Sequence, residues 1–281
     1  MHERIASCVH ASFLGEVRSL KPGNVSVYAA GHDMTVIDFE RSAEVTTPII
    51  CNPELSFGKR ILRAVEKTIE AVGCNTNLGM LLLFTPIIMA AEQSDNDHNE
   101  LQQQVKKVLS KCNQQDAEDV FNAISKANPG GLGTQPEHDV NAEVDCSLLE
   151  AMQAASHFDN VALQYVNGFE TIFREGIETV RGFVKRWNSV EWATVASYLE
   201  FMATLPDSHI QRKYGAELAN KIKKDSRVVR DQFIKCDTPA NGKSILLEFD
   251  KQLKQKKINP GTSADLTATS LLVYNLTLLQ K

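Results

Sequence analysis

Five short segments of the chain bring together small, polar and charged residues of the kind that build sites, and each is bordered by apolar positions at helical spacing. Glu16 shares a helix side with Ser12 and is followed by Lys21-Pro22-Gly23-Asn24. The segment could line a site, or it could be a solvated acid before a Pro-Gly helix stop. Asp33, within Gly31-His32-Asp33-Met34, could bind Mg²⁺ or cap the helix that contains Phe39. Gly73-Cys74-Asn75-Thr76-Asn77-Leu78-Gly79 ends one helix and opens another. Small polar residues at such a start leave backbone N–H groups facing a favourable dipole, which suits an anion. The plainer alternative is that Asn75, Thr76 or Asn77 only caps the helix. Gly79 costs its helix about 1 kcal/mol relative to Ala, which a close approach by a ligand or another helix would explain. Asp207, His209, Arg212 and Lys213 could combine a metal ligand with phosphate-binding cations, or form a charged junction facing water. Thr262 and Asp265 have the spacing of a capping box with Asp in place of Glu, a reading that requires no ligand.

The elements that must position these residues are helices. Ile5, Val9, Phe13 and Val17 recur four apart, as do Phe57, Ile61, Val65 and Ile69. Further stripes run through Leu101 to Leu109, Val120 to Ile124, Met152 to Phe173, Val180 to Trp187, Trp192 to Met202 and Ile245 to Leu253, with a last helix from about Ser263 to Leu279. Leu78 to Ala91 is apolar all round and reads as a core helix, too short to span a bilayer. Alternating patterns bounded by turn signals are almost absent, so the expected fold is all-α, a single compact domain over 1–281 of roughly ten helices. The strongest breaker, Asn128 to Pro136, opens a long loop.

Composition limits the function classes. The 281 residues carry a formal charge of −5 and are 43% hydrophobic, which excludes a disordered chain and argues against a general nucleic-acid binder. No charged region followed by an apolar stretch marks the N-terminus as a signal, and no segment reads as a membrane span. The six cysteines form no CxxC pair, so they read as reduced thiols of a cytoplasmic protein, with Cys74 singled out by its neighbours.

Taken in order, the segments resemble the triphosphoribosyl-dephospho-coenzyme A synthase family. Its pattern is an early helical Glu before a Pro-Lys-Pro-Gly turn, His-Asp-Met, Gly-x-Asn-Thr-His-Lys-Gly, Asp-Thr-Asn…Arg-Gly-Gly and Pro-Gly-Gly-Ala-Ala-Asp-Leu. The counterparts here are Glu16…Leu20-Lys21-Pro22-Gly23, His32-Asp33-Met34, Gly73 to Gly79, Asp207-Ser208-His209…Arg212 and Pro260 to Leu266, spanning nearly the whole chain. His-Lys of the third motif is Asn77-Leu78 here, which removes a cation and an acid–base group. The double Gly after the late Arg is replaced, and Gly-x-Arg-Gly-Glu-Ala has no clear match.

The resemblance implies a transferase that joins C1′ of ATP's ribose to the 2′-hydroxyl of dephospho-coenzyme A and expels adenine. It implies Glu16 and Asp265 as catalytic groups, Glu16 as base or stabiliser of an oxocarbenium-like centre. Asp33 and Asp207 would hold Mg²⁺. Lys21, Asn24, Asn75, Thr76, Asn77, Gly79, His209 and Arg212 would bind nucleotide and phosphates. The expected partners are ATP and a ribosyl acceptor, with neither nucleic acid nor membrane, and a homodimer is admitted. Two alternatives stand beside this reading: ribosyl transfer to another acceptor, such as a methanopterin-type pterin, and a helical nucleotide-binding protein without catalysis.

Overall fold

The computed structural model describes residues 1–28, 34–93, 98–130 and 144–280. These form fourteen α-helices and no strand: α1 His2–Arg18, α2 Val36–Ile50, α3 Phe57–Val72, α4 Leu78–Ala91, α5 His98–Ser110, α6 Gln114–Ala127, α7 Leu148–Ala155, α8 Asn160–Asn167, α9 Ile177–Trp187, α10 Val190–Thr204, α11 Ser208–Tyr214, α12 Ala216–Phe233, α13 Lys243–Gln255 and α14 Gly261–Thr277. Most of the surplus over ten has two sources. The stripe from Met152 to Phe173 is cut into α7, α8 and a π-helical turn at Thr171–Gly176, because Asp159 caps α8 and Gly168 and Phe169 follow it at positive φ. The segment after Pro206, where no apolar stripe is evident, folds as α11 and α12. None of the described helices is long and apolar enough to cross a membrane.

Two helices sit at the centre. α4 buries nearly every side chain, as an all-apolar helix must. α14 is buried to the same degree although it is rich in Ser and Thr. Three of its hydroxyls are satisfied within the helix: Thr267, Thr269 and Ser270 donate to the carbonyls of Ser263, Asp265 and Leu266, one turn back. The small side chains let neighbours approach closely. A Cβ added to Gly15 of α1 would fall 2.6 Å from Leu271 Cδ2. Around this pair, α14 packs on α1, α9, α10 and α11, while α3 packs on α2 and α6.

Pro86 stands inside α4 and cannot donate to the carbonyl of Leu82. The Tyr165 hydroxyl of α8 donates to that carbonyl instead, at 2.7 Å. Arg60 of α3 is fully buried, and its guanidinium meets both oxygens of Glu92 at 2.9 Å and the Ile50 carbonyl at 3.0 Å. The bidentate pair compensates a charge that would otherwise be costly to bury.

The start of α2 differs from the sequence expectation. Thr35 is its N-cap, in a capping box with Asp38, so the cap is not Asp33, which lies outside the described residues. α14 starts after Pro260 with no side-chain cap, so Thr262 and Asp265 do not form the expected box.

Candidate active site

A cavity of about 920 Å³ opens between α1, α11 and α14 on one side and α3, α6 and α7 on the other, with the start of α4 between them. Glu16, in the last turn of α1, faces it although only 1% exposed. Its Oε1 contacts Lys21 Nζ at 2.9 Å, and its Oε2 has no hydrogen-bond partner among the described residues. Burial raises the Glu16 carboxyl above the usual range, and Lys21 opposes this. Burial lowers the Lys21 ammonium, with Glu16 opposing. Lys21 also donates to Asn24 Oδ1 at 2.9 Å and to the Val25 carbonyl at 2.5 Å. Its three protons are therefore engaged, and it does not line the cavity. The surroundings of Lys21 suit holding Glu16 rather than meeting phosphate.

The turn that carries Lys21 is pinned from distant parts of the chain. Gly23 adopts φ 83° and donates its N–H to Asp250 Oδ1 at 2.8 Å. Any Cβ there would fall 2.9 Å from both Leu253 and Pro260. Tyr198 donates its hydroxyl to the Pro22 carbonyl at 2.8 Å. Asn24, which does face the cavity, donates to Asn259 Oδ1 at 2.8 Å.

Asp265, one turn into α14, lies against the start of α4. A Cβ on Gly79 would come within 2.0 Å of Asp265 Oδ2, so this helical glycine admits the carboxyl group. Burial holds the Asp265 carboxyl well above its usual range, reinforced by the negative charges of Glu16 and Asp207 and partly offset by Arg212. Two carboxyl groups from opposite ends of the chain thus interact beside one cavity.

The α4 N-terminus faces the same space. Asn75 Oδ1 accepts the Leu78 N–H at 3.0 Å, and the Leu81 N–H reaches the Asn77 carbonyl at 2.9 Å. Among the described residues, the N–H groups of Gly79 and Met80 make no hydrogen bond. The side chains of Thr76 and Asn77 turn to neighbouring helices: Thr76 donates to Ser42 at 2.6 Å, and Asn77 accepts from Thr68 at 3.1 Å. Backbone groups, rather than these side chains, are what the helix start offers to an anion. Cys74 lines the cavity with its thiol pKa raised by burial and by Asp38, and all six cysteines are free.

His209 and Arg212 of α11 complete the polar side. The His209 N–H donates to Thr262 Oγ1 at 3.2 Å, and its ring packs over Gly261, where a Cβ would fall 2.6 Å from Nδ1. Arg212 is paired with Asp159, which also accepts the N–H groups of Val161 and Ala162 at the start of α8. Asp159 and Asn259 are cavity residues that sequence reasoning missed. The first carries a readable signal, an acidic cap before Val161, but not its pairing with a residue 53 positions away.

The expectation that Asp207 holds Mg²⁺ does not fit its surroundings. Its carboxylate accepts the Ile210 N–H at 3.1 Å, the Ser263 N–H at 2.7 Å and the Ser263 hydroxyl at 2.8 Å, capping α11 and tying it to α14. It lies outside the cavity wall, and among the described residues no cluster of three His, Cys, Asp or Glu could hold a metal ion.

Comparison with known proteins agrees with this architecture. A crystal structure from Archaeoglobus fulgidus, described provisionally as a triphosphoribosyl-dephospho-coA synthase, superimposes with a TM-score of 0.66 over 87% of this chain and 98% of its own, at 22% identity. No curated protein sequence matches. The sequence model of the ATP:dephospho-CoA triphosphoribosyl transferases matches residues 2–281. With the whole chain matched, the protein belongs to the ATP:dephospho-CoA triphosphoribosyl transferase family.

Proposed function

We propose that the protein transfers the triphosphoribosyl group of ATP to the 2′-hydroxyl of dephospho-coenzyme A and releases adenine. The observation that carries this reading is the meeting of Glu16, Asp265 and the free N–H groups of α4 in one cavity. In the transfer, the C1′–N9 bond of ATP breaks and adenine leaves with the bonding pair, while the acceptor oxygen bonds to C1′. Asp265, with its pKa held far above the usual range, carries the proton that neutralises adenine. Glu16, whose burial strengthens it as a base, takes the proton of the acceptor hydroxyl. Its negative charge also favours the positive character that develops at C1′.

Lys21 acts through Glu16 in this scheme, holding the carboxylate in place and in its charged form. The triphosphate is received by the N–H groups of Gly79 and Met80 and by Arg212. No step is assigned to Mg²⁺, because Asp33 lies outside the described residues and Asp207 is engaged by Ile210 and Ser263. The expected Mg²⁺ enters instead with the triphosphate of ATP.

The second reading keeps the donor and changes the acceptor to another hydroxyl compound of cofactor synthesis, such as a methanopterin-type pterin. Its support is the pair Asn77-Leu78, both buried, which presents neither cation nor acid–base group where the family pattern has His-Lys. Chromatography of reactions with ATP, Mg²⁺ and a panel of acceptors separates the two. Adenine that appears only with dephospho-coenzyme A supports the first reading, and adenine only with another acceptor supports the second. ATP binding without adenine from any acceptor would overturn both and leave a nucleotide-binding protein.

A further inference from the structure

The cavity has two chemically distinct ends. Its buried and half-buried polar groups come from α1, α11, α14, the starts of α4 and α8 and the turns beside them, whereas the far wall is built largely from Ile69 of α3, Phe121 and Ile124 of α6, Ala151 and Met152 of α7, and Phe158. The cations along this wall are peripheral: Lys126 is exposed and paired with Glu66 at 3.3 Å, and His157 is exposed. A triphosphate placed there would lose its hydration and gain only exposed donors at the rim, a cost that directs it to the α4 start and Arg212 instead. Adenine is also directed away from this end, because its departure in the proposed reaction needs the Asp265 proton and the side-chain donors along the wall, Lys126, Asn128, Gln153 and His157, are all exposed. What remains is the uncharged part of the acceptor.

We infer that the apolar end receives the pantetheine arm of dephospho-coenzyme A, which leaves the ADP portion, with its 2′-hydroxyl, at the carboxyl groups. The inference rests on the transfer reaction proposed above. The arm carries a gem-dimethyl group and several methylenes, each of which gains by leaving water, and its two amides can keep their hydrogen bonds toward the open side of the cavity. The wall is continuous with the polar end past Gly79, Met80 and Leu82 of α4, so one extended molecule can occupy both.

Calorimetric titration tests the assignment without turnover, with dephospho-coenzyme A, ADP (the same nucleotide without the arm) and ATP as separate ligands. Ala151→Leu narrows the apolar end from a half-buried helical position without removing any core atom. We expect it to weaken dephospho-coenzyme A by about tenfold and to leave ADP and ATP within about twofold. Ile124→Asn, which keeps the number of side-chain heavy atoms but makes the wall polar, should do the same and guards against a folding defect in the first variant. Equal binding of ADP and dephospho-coenzyme A, no effect of either variant, or a parallel loss of ATP affinity would overturn the assignment. Arm-dependent binding with no adenine release from any acceptor would sink the transfer reaction alone. Adenine release without arm dependence would sink only the present inference.

Discussion

Glu16 and Lys21 are both withdrawn from water, so each depends on the other. Replacing one partner of such a pair leaves an uncompensated buried charge, at a cost of about 3 kcal/mol or more. Glu16→Gln should therefore abolish adenine release and lower the melting temperature while the far-UV circular dichroism stays helical. Adding Lys21→Met should restore much of the stability and none of the activity; recovery of adenine release in the double variant would remove Glu16 from the catalytic set. Asp265 makes a prediction of opposite sign. Its carboxyl is held well above the usual range in the folded state, so the folded protein retains a proton that the unfolded chain releases. That contribution is complete at low pH and is lost as pH rises from the unfolded value of about 3.9 through the folded value. Asp265→Asn should match the parent protein in stability under acid conditions, exceed it increasingly toward neutral pH, and lose adenine release throughout. Denaturant melts across a pH series check the first part, and a stability gap that closes with rising pH would refute it.

At the scale of elements, the site depends on three helix starts and one turn. α4 offers N–H groups because its first turn holds a glycine, and that glycine is required because the Asp265 carboxyl of α14 sits on it. α11 is fixed to α14 by Asp207, which serves both as cap and as cross-link. Asp207→Ala should cost about 3 kcal/mol through the lost cap and the orphaned Ser263 N–H. The Mg²⁺ dependence of ATP binding should remain, and a selective loss of that dependence would return Asp207 to the metal role that its sequence position suggests. The start of α4 was legible in the sequence, since Asn75 to Asn77 are residue types that favour such positions, whereas α11 was not, because no apolar stripe marks it. The division of the stripe from Met152 to Phe173 was not legible, because Phe169 takes a positive φ that its residue type does not announce.

At the scale of the whole molecule, a ligand spanning the cavity would join the α1–α11–α14 side to the α3–α6–α7 side. ATP at one hundred times its dissociation constant should then stabilise the protein by about 2.7 kcal/mol. A thermal melt with and without ATP measures this, and an unshifted transition would mean that the cavity does not take the nucleotide. A net charge of −5 is no obstacle to such a ligand. In the proposed reaction the donors that would meet the phosphates are backbone groups and one arginine, and two of the acids beside them are carboxyl groups whose pKa values are raised by burial.

The sequence by itself determined the helical class, the order of the polar segments and the family pattern they spell, because helical periodicity and capping preferences are local. It also singled out Glu16, Asp265 and Gly79. Only the tertiary structure decided which way the other polar groups face. Lys21 turns to Glu16 and Asp207 to Ser263, while Asn77 fills the space among α2, α3 and α4. Asn259 and Asp159 enter the site through partners 235 and 53 residues away. The physical reason is the cost of burying charge and polar groups without partners: each must find a complement, and that complement lies wherever packing brings another helix.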